Sequence, residues 1–268
     1  MSLSALGAVL GDGPAVSPCL VLGDPTPDLS VEMARAAVRA GARLLEIEFP
    51  YSDPVADGPA IQAAVQRALA GGTSTHRAFE LLGRIAEACP GTPLNLLVYG
   101  NLVHRIGYER FTERAAAAGA STLLVTDIPL EESVPLRRAC RSAGLGHVEL
   151  AGPLTSAPRL GRLAAVSSFV YLAGFQGVTG VRHGGFDAML HRVAEVAEIV
   201  NIPLCLGFGL SERRQIVRAF GAGAGIAVVG SHLVRVVSDL YRTPADADRL
   251  LAGYGAAVRR LVLDDHGG

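Results

Sequence analysis

The sequence has no lysine, and every one of its 24 lysine-or-arginine positions is arginine. A Schiff-base mechanism requires a lysine amine as nucleophile, and covalent attachment of pyridoxal phosphate requires the same group. The chain itself therefore cannot perform lysine-type aldolase chemistry or carry covalently bound pyridoxal phosphate.

Excess charge and long apolar runs are also missing. The formal net charge is −1 at pH 7, and without a basic excess we expect neither nucleic acid nor an anionic membrane as a partner. No apolar run approaches the roughly 20 residues of a membrane span. The first basic residue is Arg35, so we expect no signal peptide at the N-terminus.

Cysteine is sparse and never occurs in close pairs. The four residues are Cys19, Cys89, Cys140 and Cys205. This spacing predicts neither a metal site nor a disulfide framework, and it fits a protein of the reducing cytoplasm.

Eight short apolar runs, rich in β-branched residues, are present and predict strands. They are residues 19–22, 43–49, 94–98, 121–126, 147–150, 168–173, 203–207 and 225–230. Helical patterns rich in Ala, Leu, Arg and Glu separate most of them, and glycines such as Gly41, Gly119 and Gly221 are predicted to end helices. Alternating strands and helices imply a parallel sheet with crossover helices.

Eight such units predict an α/β fold of the (β/α)₈ TIM-barrel class, a parallel eight-stranded barrel in one domain spanning residues 1–268. An open doubly wound sheet of eight strands is the alternative that strand counting leaves open. The segment 50–80 is long for one connection after a strand, which indicates that it does more than connect.

Two carboxylates lie within the second predicted strand. Glu46 and Glu48 are two residues apart, so they face the same way in an otherwise apolar setting. They are either structural acids paired with arginine or pocket acids at the barrel mouth, where burial raises a carboxyl pKa toward neutrality. The proline-rich loop 50–59 brings Asp57 to the same rim, which favours the functional interpretation.

Three glycine-rich turns follow the last three predicted strands, at residues 177–180, 207–209 and 230–231. Glycine lets backbone N–H groups approach an anion closely, and barrel phosphate sites recur at these loops and at a helix N-terminus. Ser211 is placed to cap the helix after the second turn. The three turns together predict a phosphate site that needs no lysine or arginine.

These features resemble one family, the tryptophan synthase alpha subunits. The motifs that carry the resemblance are LGDP (22–25), LEIEFPYSDPVADGPAIQ (45–62), YGNLV (99–103), VTDIPLEES (125–133), GVTG (177–180), GFGLS (207–211) and VGS (229–231). They occur in the family's order and cover nearly the whole chain, and the long ADGP-containing motif is the most specific of them.

The resemblance implies a (β/α)₈ barrel that cleaves indole-3-glycerol phosphate to indole and glyceraldehyde 3-phosphate, with no cofactor and no metal. It implies that Glu46 is the catalytic acid–base, which helps to protonate the indole ring carbon and takes the proton of the glycerol hydroxyl. Asp57 would accept the indole N–H bond and stabilise the indolenine tautomer, with Tyr171 near the catalytic acid. A pyridoxal-phosphate β subunit is the possible partner.

The resemblance also assigns the remaining contacts. The implied phosphate-binding residues are Gly180, Gly209, Gly230 and Ser231. The implied indole-pocket residues are Leu97, Tyr99, Thr126 and Phe208. The implied closing loops contain Asp53 and Thr179.

The chain departs from the family's pattern at three places. Glu48 stands where the family usually has glycine, Cys19 stands where it often has phenylalanine in the indole pocket, and Gly174–Phe175 replaces a Ser–Arg pair before GVTG. Either an arginine or a water network neutralises Glu48, or Glu48 binds an extra hydroxyl or amine of an altered substrate. Cys19 would enlarge the pocket.

Three functions therefore stay open at this point: the indole-3-glycerol phosphate lyase, a diverged lyase acting on another phosphorylated substrate, and a non-catalytic subunit that activates a pyridoxal-phosphate partner. A phosphate-sugar isomerase is a weaker fourth, because residues 52–59 have no evident role in it. The intact Glu46 and Asp57 argue against a non-catalytic role.

Overall fold

A computed structural model describes residues 3–174, 185–207 and 209–262. Eight parallel strands form a closed barrel in which each strand pairs with the next along the chain and the first pairs with the last. The strands are β1 (Ala15–Val21), β2 (Leu45–Glu48), β3 (Leu94–Val98), β4 (Thr122–Val125), β5 (Gly146–Ala151), β6 (Val170–Ala173), β7 (Leu204–Gly207) and β8 (Ile226–Val229). The predicted barrel is confirmed, and the open sheet is excluded.

Helices surround the barrel. They are α1 (Leu3–Gly11), α2 (Pro27–Arg39), α3 (Pro59–Ala70), α4 (Thr75–Ala88), α5 (Gly100–Ile106), α6 (Tyr108–Ala117), α7 (Val134–Ala143), α8 (Ala157–Ala164), α9 (Gly185–Ile199), α10 (Arg213–Gly221), α11 (Ser231–Leu240) and α12 (Ala247–Leu261), with a short 3₁₀ helix at Pro244–Asp246. Within the described residues, none of them combines the length and apolar character that a membrane crossing requires.

The observed helix ends agree with the sequence predictions at two glycines and differ from them at two other residues. Gly41 and Gly119 have positive φ after α2 and α6, as expected, but Gly221 is the last residue of α10, and the left-handed turn falls at Gly223 with φ of 105°. Ser211 does not cap α10. Glu212 does, through a capping box with Gln215.

The barrel interior explains how β2 presents its acids. Leu44 belongs to the apolar cluster inside the barrel together with Phe169 of the opposite wall, and Leu6 of α1 is part of the same cluster. Because side chains alternate along a strand, Glu46 and Glu48 share the inward face with Leu44. The interior is therefore closed by apolar side chains below and carries carboxyls toward its C-terminal mouth.

The segment 50–80 contains a helix of its own, α3, in addition to the loop that carries Asp57. Arg67 of α3 makes a two-pronged ion pair with the buried Asp24 of the loop after β1, at 2.8 and 3.0 Å. This pair fixes α3 against the barrel mouth.

Candidate active site

A cavity of about 160 Å³ opens at the C-terminal ends of the strands. Its lining has two chemically different ends. Carboxyls from β2 and its exit loop form one end, while the other is formed by residues of the turns after β7 and β8. The carboxyls are Glu46, Glu48 and Asp57, and the second group includes Gly209, Gly230 and Ser231.

Glu46 is buried and accepts hydrogen bonds from three donors. Asn95 Nδ2 lies 3.1 Å from Glu46 Oε2, Tyr171 Oη lies 3.3 Å from Glu46 Oε1, and the Cys19 thiol is the third donor. Burial raises the pKa of Glu46 to about 7, although the hydrogen bonds from Asn95, Tyr171 and Cys19 oppose this rise. A carboxyl with this pKa exchanges protons readily near neutral pH.

Asn95 is a site residue that the sequence reasoning missed. Thr122 Oγ1 donates to Asn95 Oδ1 at 2.8 Å, which fixes the amide so that its NH₂ group faces Glu46. The available signal was the alternation of β3, because Asn95 shares the inward face with Leu97, which does line the cavity.

Tyr171 reaches Glu46 because the neighbouring strand has no side chain at one position. Gly207 lies at the end of β7, and a Cβ built there overlaps the hydroxyl and ring of Tyr171. Burial raises the pKa of Tyr171 well above its usual value, and the charge of Glu46 adds to that effect. Tyr171 is therefore a neutral hydrogen-bond donor.

Asp57 is held in place mainly by Tyr99, which follows β3, and by Gln62 of α3. Tyr99 Oη donates to Asp57 Oδ2 at 2.7 Å and accepts from the Ala56 N–H at 3.0 Å. Gln62 Nε2 donates to the Asp57 carbonyl at 2.8 Å, and the Tyr51 ring stacks on Tyr99 with 5.2 Å between ring centroids. This loop thus arrives at the cavity with its carboxylate already oriented.

Glu48 is the second buried carboxyl of β2, and its partner is not an arginine. Among the described residues no ion pair involves Glu48; its carboxyl hydrogen-bonds instead to that of Asp57. Burial raises the pKa of Glu48 well above its usual range, and the charges of Asp57 and Glu46 raise it further. Two carboxyls in hydrogen-bond contact require a proton between them, so the pair carries one proton near neutrality. Within the described residues, the buried Glu48 Oε1 has no hydrogen-bond donor as a partner.

The opposite end of the cavity is suited to an anion. Gly209 has a φ of +78°, which favours glycine. Gly230 is the N-cap of α11 and Ser231 its first residue, so unpaired backbone N–H groups and the positive end of the helix dipole lie at the cavity wall. Arg235 lies one turn further along α11, lines the same cavity and was not anticipated.

The other predicted residues are distributed as follows. Leu97 and Cys19 line the cavity. Tyr99 does not line it but donates a hydrogen bond to Asp57, which does. Thr126 is half-buried after β4 and is not part of the lining. Asp53 is exposed in the loop after β2. Thr179, Gly180 and Phe208, as well as Phe175 of the altered loop, lie outside the described residues.

Comparison with known proteins decides the family. The profile of the family described as "Tryptophan synthase alpha chain" matches residues 11–256. The chain belongs to the tryptophan synthase alpha chain family. It is 40% identical over 228 residues to the tryptophan synthase alpha chain of Methanothermobacter thermautotrophicus, covering 85% of this chain and 84% of that protein. It is 38% identical over 251 residues to that of Halorhodospira halophila, covering 93% and 91%.

Solved structures agree with this assignment to the tryptophan synthase alpha chain family. A chain of the tryptophan synthase α2β2 complex from Pyrococcus furiosus has a TM-score of 0.83 at 30% identity, covering 93% of this chain and 98% of that chain. An Aquifex aeolicus protein also has a TM-score of 0.83, at 27% identity. The activity implied by the resemblance is that of the family: the chain is a carbon–carbon lyase that cleaves indole-3-glycerol phosphate.

Proposed function

We propose that Glu46 and Asp57 carry out the retro-aldol cleavage while the glycine turns hold the substrate phosphate. The observation that supports this most directly is the pairing of a buried, triply hydrogen-bonded Glu46 with a preoriented Asp57 at one end of a single cavity. The backbone N–H groups near Gly209, Gly230 and Ser231 lie at its other end. The spacing of these two ends suits a substrate with an indole at one end and a phosphate at the other.

The proposed reaction consists of two proton transfers, one from the glycerol hydroxyl and one to the ring carbon. Glu46 takes the proton from the glycerol hydroxyl next to the ring and helps to protonate the ring carbon that bears the glycerol chain. Asp57 accepts the ring N–H bond and stabilises the positive charge of the indolenine. Tyr171 and Asn95 hold the Glu46 carboxyl by hydrogen bonds. Cleavage then gives indole and glyceraldehyde 3-phosphate.

The phosphate contacts in this proposal come from backbone groups. Gly209, Gly230 and Ser231 offer N–H groups, and the α11 dipole adds positive potential. Gly180 belongs to the proposed phosphate contacts, and Phe208 and Thr126 to the proposed indole contacts, on the strength of the motif match alone. Asp53 and Thr179 are proposed on the same ground for the loops that close over the substrate.

The decisive experiment replaces the Glu46 carboxyl and follows indole release. The chain contains no tryptophan, so indole fluorescence can be read against a low protein background. Glu46→Gln should lower kcat for indole-3-glycerol phosphate at least 10³-fold while the substrate still binds, because the amide keeps the size but cannot transfer the proton.

Glu149→Gln is the matched control. Glu149 is also a buried strand glutamate, but it bonds to Ser133 and His147 rather than lining the cavity. That variant should keep kcat within about threefold. Turnover by Glu46→Gln at the wild-type rate would remove the proposed mechanism.

We also infer that a β subunit docks on the barrel rim. Four large apolar side chains are exposed among the described residues, and three of them, Val55, Val134 and Leu154, follow strands β2, β4 and β5 on the C-terminal side. Exposed apolar side chains gathered on one rim are typical of an interaction surface. A similar Pyrococcus furiosus chain was solved in an α2β2 complex.

Partner binding can be tested by mixing. Leu154→Asp should weaken stimulation of a pyridoxal-phosphate β subunit at least tenfold, and the isolated chain should still cleave its substrate. Val217→Asp on the outer helix α10 is the control, since Val217 is exposed away from the rim. Equal stimulation by both variants would contradict docking at this rim.

A cytoplasmic location completes the proposal. All four cysteines are buried and free, which suits a reducing compartment. Fractionation of the producing cells should recover the protein with the cytoplasmic contents, and recovery with the membranes or the medium would contradict this location.

A further inference from the structure

Glu48 and Glu46 lie on the same face of β2, but their surroundings favour opposite protonation states. Glu46 accepts bonds from Asn95, Tyr171 and Cys19, and three donors stabilise a carboxylate. Among the described residues, the buried Glu48 Oε1 has no such donor. The hydrogen bond of the Glu48 carboxyl goes to another carboxyl, that of Asp57.

We propose that Glu48 is a second catalytic residue, the acid that protonates the indole ring carbon, and that Glu46 acts only as the base toward the glycerol hydroxyl. The inference rests on the proposed function and divides the two proton transfers assigned there to Glu46. It is based on three geometric facts: both carboxyls line one cavity, Glu46 is surrounded by donors, and the Glu48 carboxyl contacts that of Asp57 while its Oε1 receives no hydrogen bond from the described residues. Neighbouring carboxyls whose environments differ in this way take opposite acid and base roles.

Substrate binding would free the Glu48 proton from its hydrogen bond to Asp57. In the free protein the Glu48 proton is committed to Asp57. When the ring N–H of the substrate bonds to Asp57, that carboxylate gains another donor and the Glu48 proton becomes free to turn toward the ring. The acid is thus available only when the indole is in place.

The atoms and charges of the step balance. Glu48 gives its proton to the ring carbon that carries the glycerol chain, and the ring becomes an indolenine cation beside the Asp57 carboxylate. Glu46 then removes the proton of the adjacent hydroxyl, whose electron pair forms the aldehyde C=O. The electrons of the breaking carbon–carbon bond return to the ring and restore neutral indole. Glu46 ends protonated and Glu48 ionised, and exchange with water resets both.

Hydrogen exchange at the ring carbon of indole tests the acid role of Glu48 separately from the base role of Glu46. Indole has no glycerol hydroxyl, so its exchange does not require the base that acts on that hydroxyl. Indole and inorganic phosphate are incubated with the enzyme in D₂O, and loss of the C3 proton is followed by NMR against an enzyme-free sample. Glu48→Gln should lose at least tenfold of the enzyme-dependent exchange. Glu46→Gln should retain it within threefold, although both variants lose at least 10²-fold in cleavage of indole-3-glycerol phosphate.

Glutamine at position 48 also distinguishes catalysis from positioning. Its amide can still donate to Asp57, so a purely supporting role would survive in Glu48→Gln, and an unchanged kcat would overturn the proposal. Loss of exchange in Glu46→Gln would overturn it as well, because the ring proton would then belong to Glu46. If Glu48→Gln does not fold, Glu48→Asp keeps a carboxyl and should show measurable exchange; its absence in a folded Glu48→Asp protein counts against the proposal.

The pH profile gives an independent readout. Among the described residues, the titratable groups that face Glu48 are Glu46 on β2, Asp57 in the exit loop, Cys19 on β1 and Tyr99 after β3, and none of these four is cationic. His232 and Arg235 lie at the phosphate end of the cavity.

The kcat of the wild type should therefore fall at high pH, where the acid loses its proton, and Glu48→Gln should lack this fall. If the wild-type enzyme gives no exchange with indole alone, the pH dependence of kcat is the deciding test of the proposal. A high-pH decline of kcat that persists in Glu48→Gln overturns the proposal. Failure of the proposed function itself looks different: wild-type enzyme would release no indole, or Glu46→Gln would cleave normally.

Discussion

Tyr99 donates a hydrogen bond of 2.7 Å to Asp57, and the same hydroxyl accepts the Ala56 N–H at 3.0 Å. One phenol thus fixes both the carboxylate and the backbone of the loop that carries it. Tyr99→Phe removes both bonds and leaves the ring in place. We expect kcat/KM to fall about tenfold, as a loss of about 1.4 kcal/mol implies.

Tyr51→Phe is the matched control for this prediction. Tyr51 stacks on Tyr99, and within the described part of the chain its hydroxyl bonds only to Asn101, at 3.0 Å on the exposed side of the loop. Its removal should change kcat/KM less than threefold. Equal effects of the two substitutions would show that the Asp57 bond has no special role.

The pH dependence of kcat follows from the ionisation of Glu46. As the base, it must be ionised, and burial raises its pKa to about 7. The ionised fraction falls tenfold per pH unit below that value, so kcat should decline with a slope of one from about pH 7 downward. The quantity to measure is kcat rather than kcat/KM, because a free phosphate monoester also titrates near pH 6. A flat kcat down to pH 5 would contradict this assignment.

The same buried carboxyl should destabilise the fold at high pH. The pKa of Glu46 is higher in the folded chain, about 7, than its ordinary value of 4.5, so the folded state binds more protons between these values. Stability is therefore lost as the pH rises from about 4.5 to 7, by about 3 kcal/mol in full. Glu46→Gln should be more stable than the wild type at pH 8 and nearly equal at pH 4. Urea unfolding at both pH values checks this, and a gap that does not change with pH would contradict it.

The fold was predictable from the sequence because barrel strands have a strong local signature. The run 94–98 coincides with β3, and the other seven runs overlap their strands. Asn95 was not recognised because its function depends on meeting Glu46 across two paired strands, which no local pattern encodes. The pairing of Glu48 was equally hidden, since its partner Asp57 is another acid rather than an arginine.

The Asp24–Arg67 pair should contribute more to stability than an exposed pair of similar geometry. Asp24 is buried, and Arg67→Ala leaves its charge without a partner, at a loss of about 1–3 kcal/mol once the partial exposure of Arg67 is considered. The control is Arg84→Ala, because Arg84 and Asp28 are 2.7 Å apart but both exposed. Its loss should stay below about 1 kcal/mol. Urea unfolding of both variants gives the comparison, and equal losses would show that burial of Asp24 does not matter.

Gly207 should be intolerant of even one methyl group for a catalytic reason. A Cβ at this position overlaps the Tyr171 hydroxyl, whereas a Cβ at Gly225 has Pro203 Cβ at 3.8 Å as its nearest neighbour. Gly207→Ala therefore has to displace the Tyr171 ring from Glu46, and we expect kcat to fall at least tenfold together with a destabilisation of about 1–3 kcal/mol. Gly225→Ala adds the same methyl group near the start of β8, far from the cavity, and should leave kcat within twofold.

Because Tyr171→Phe removes the hydroxyl without moving the ring, comparison of its kcat with that of Gly207→Ala separates the loss of the hydrogen bond from the displacement of the side chain. A fully active Gly207→Ala protein would show that Tyr171 need not approach Glu46 from this side, and the role assigned to that hydroxyl would have to be abandoned.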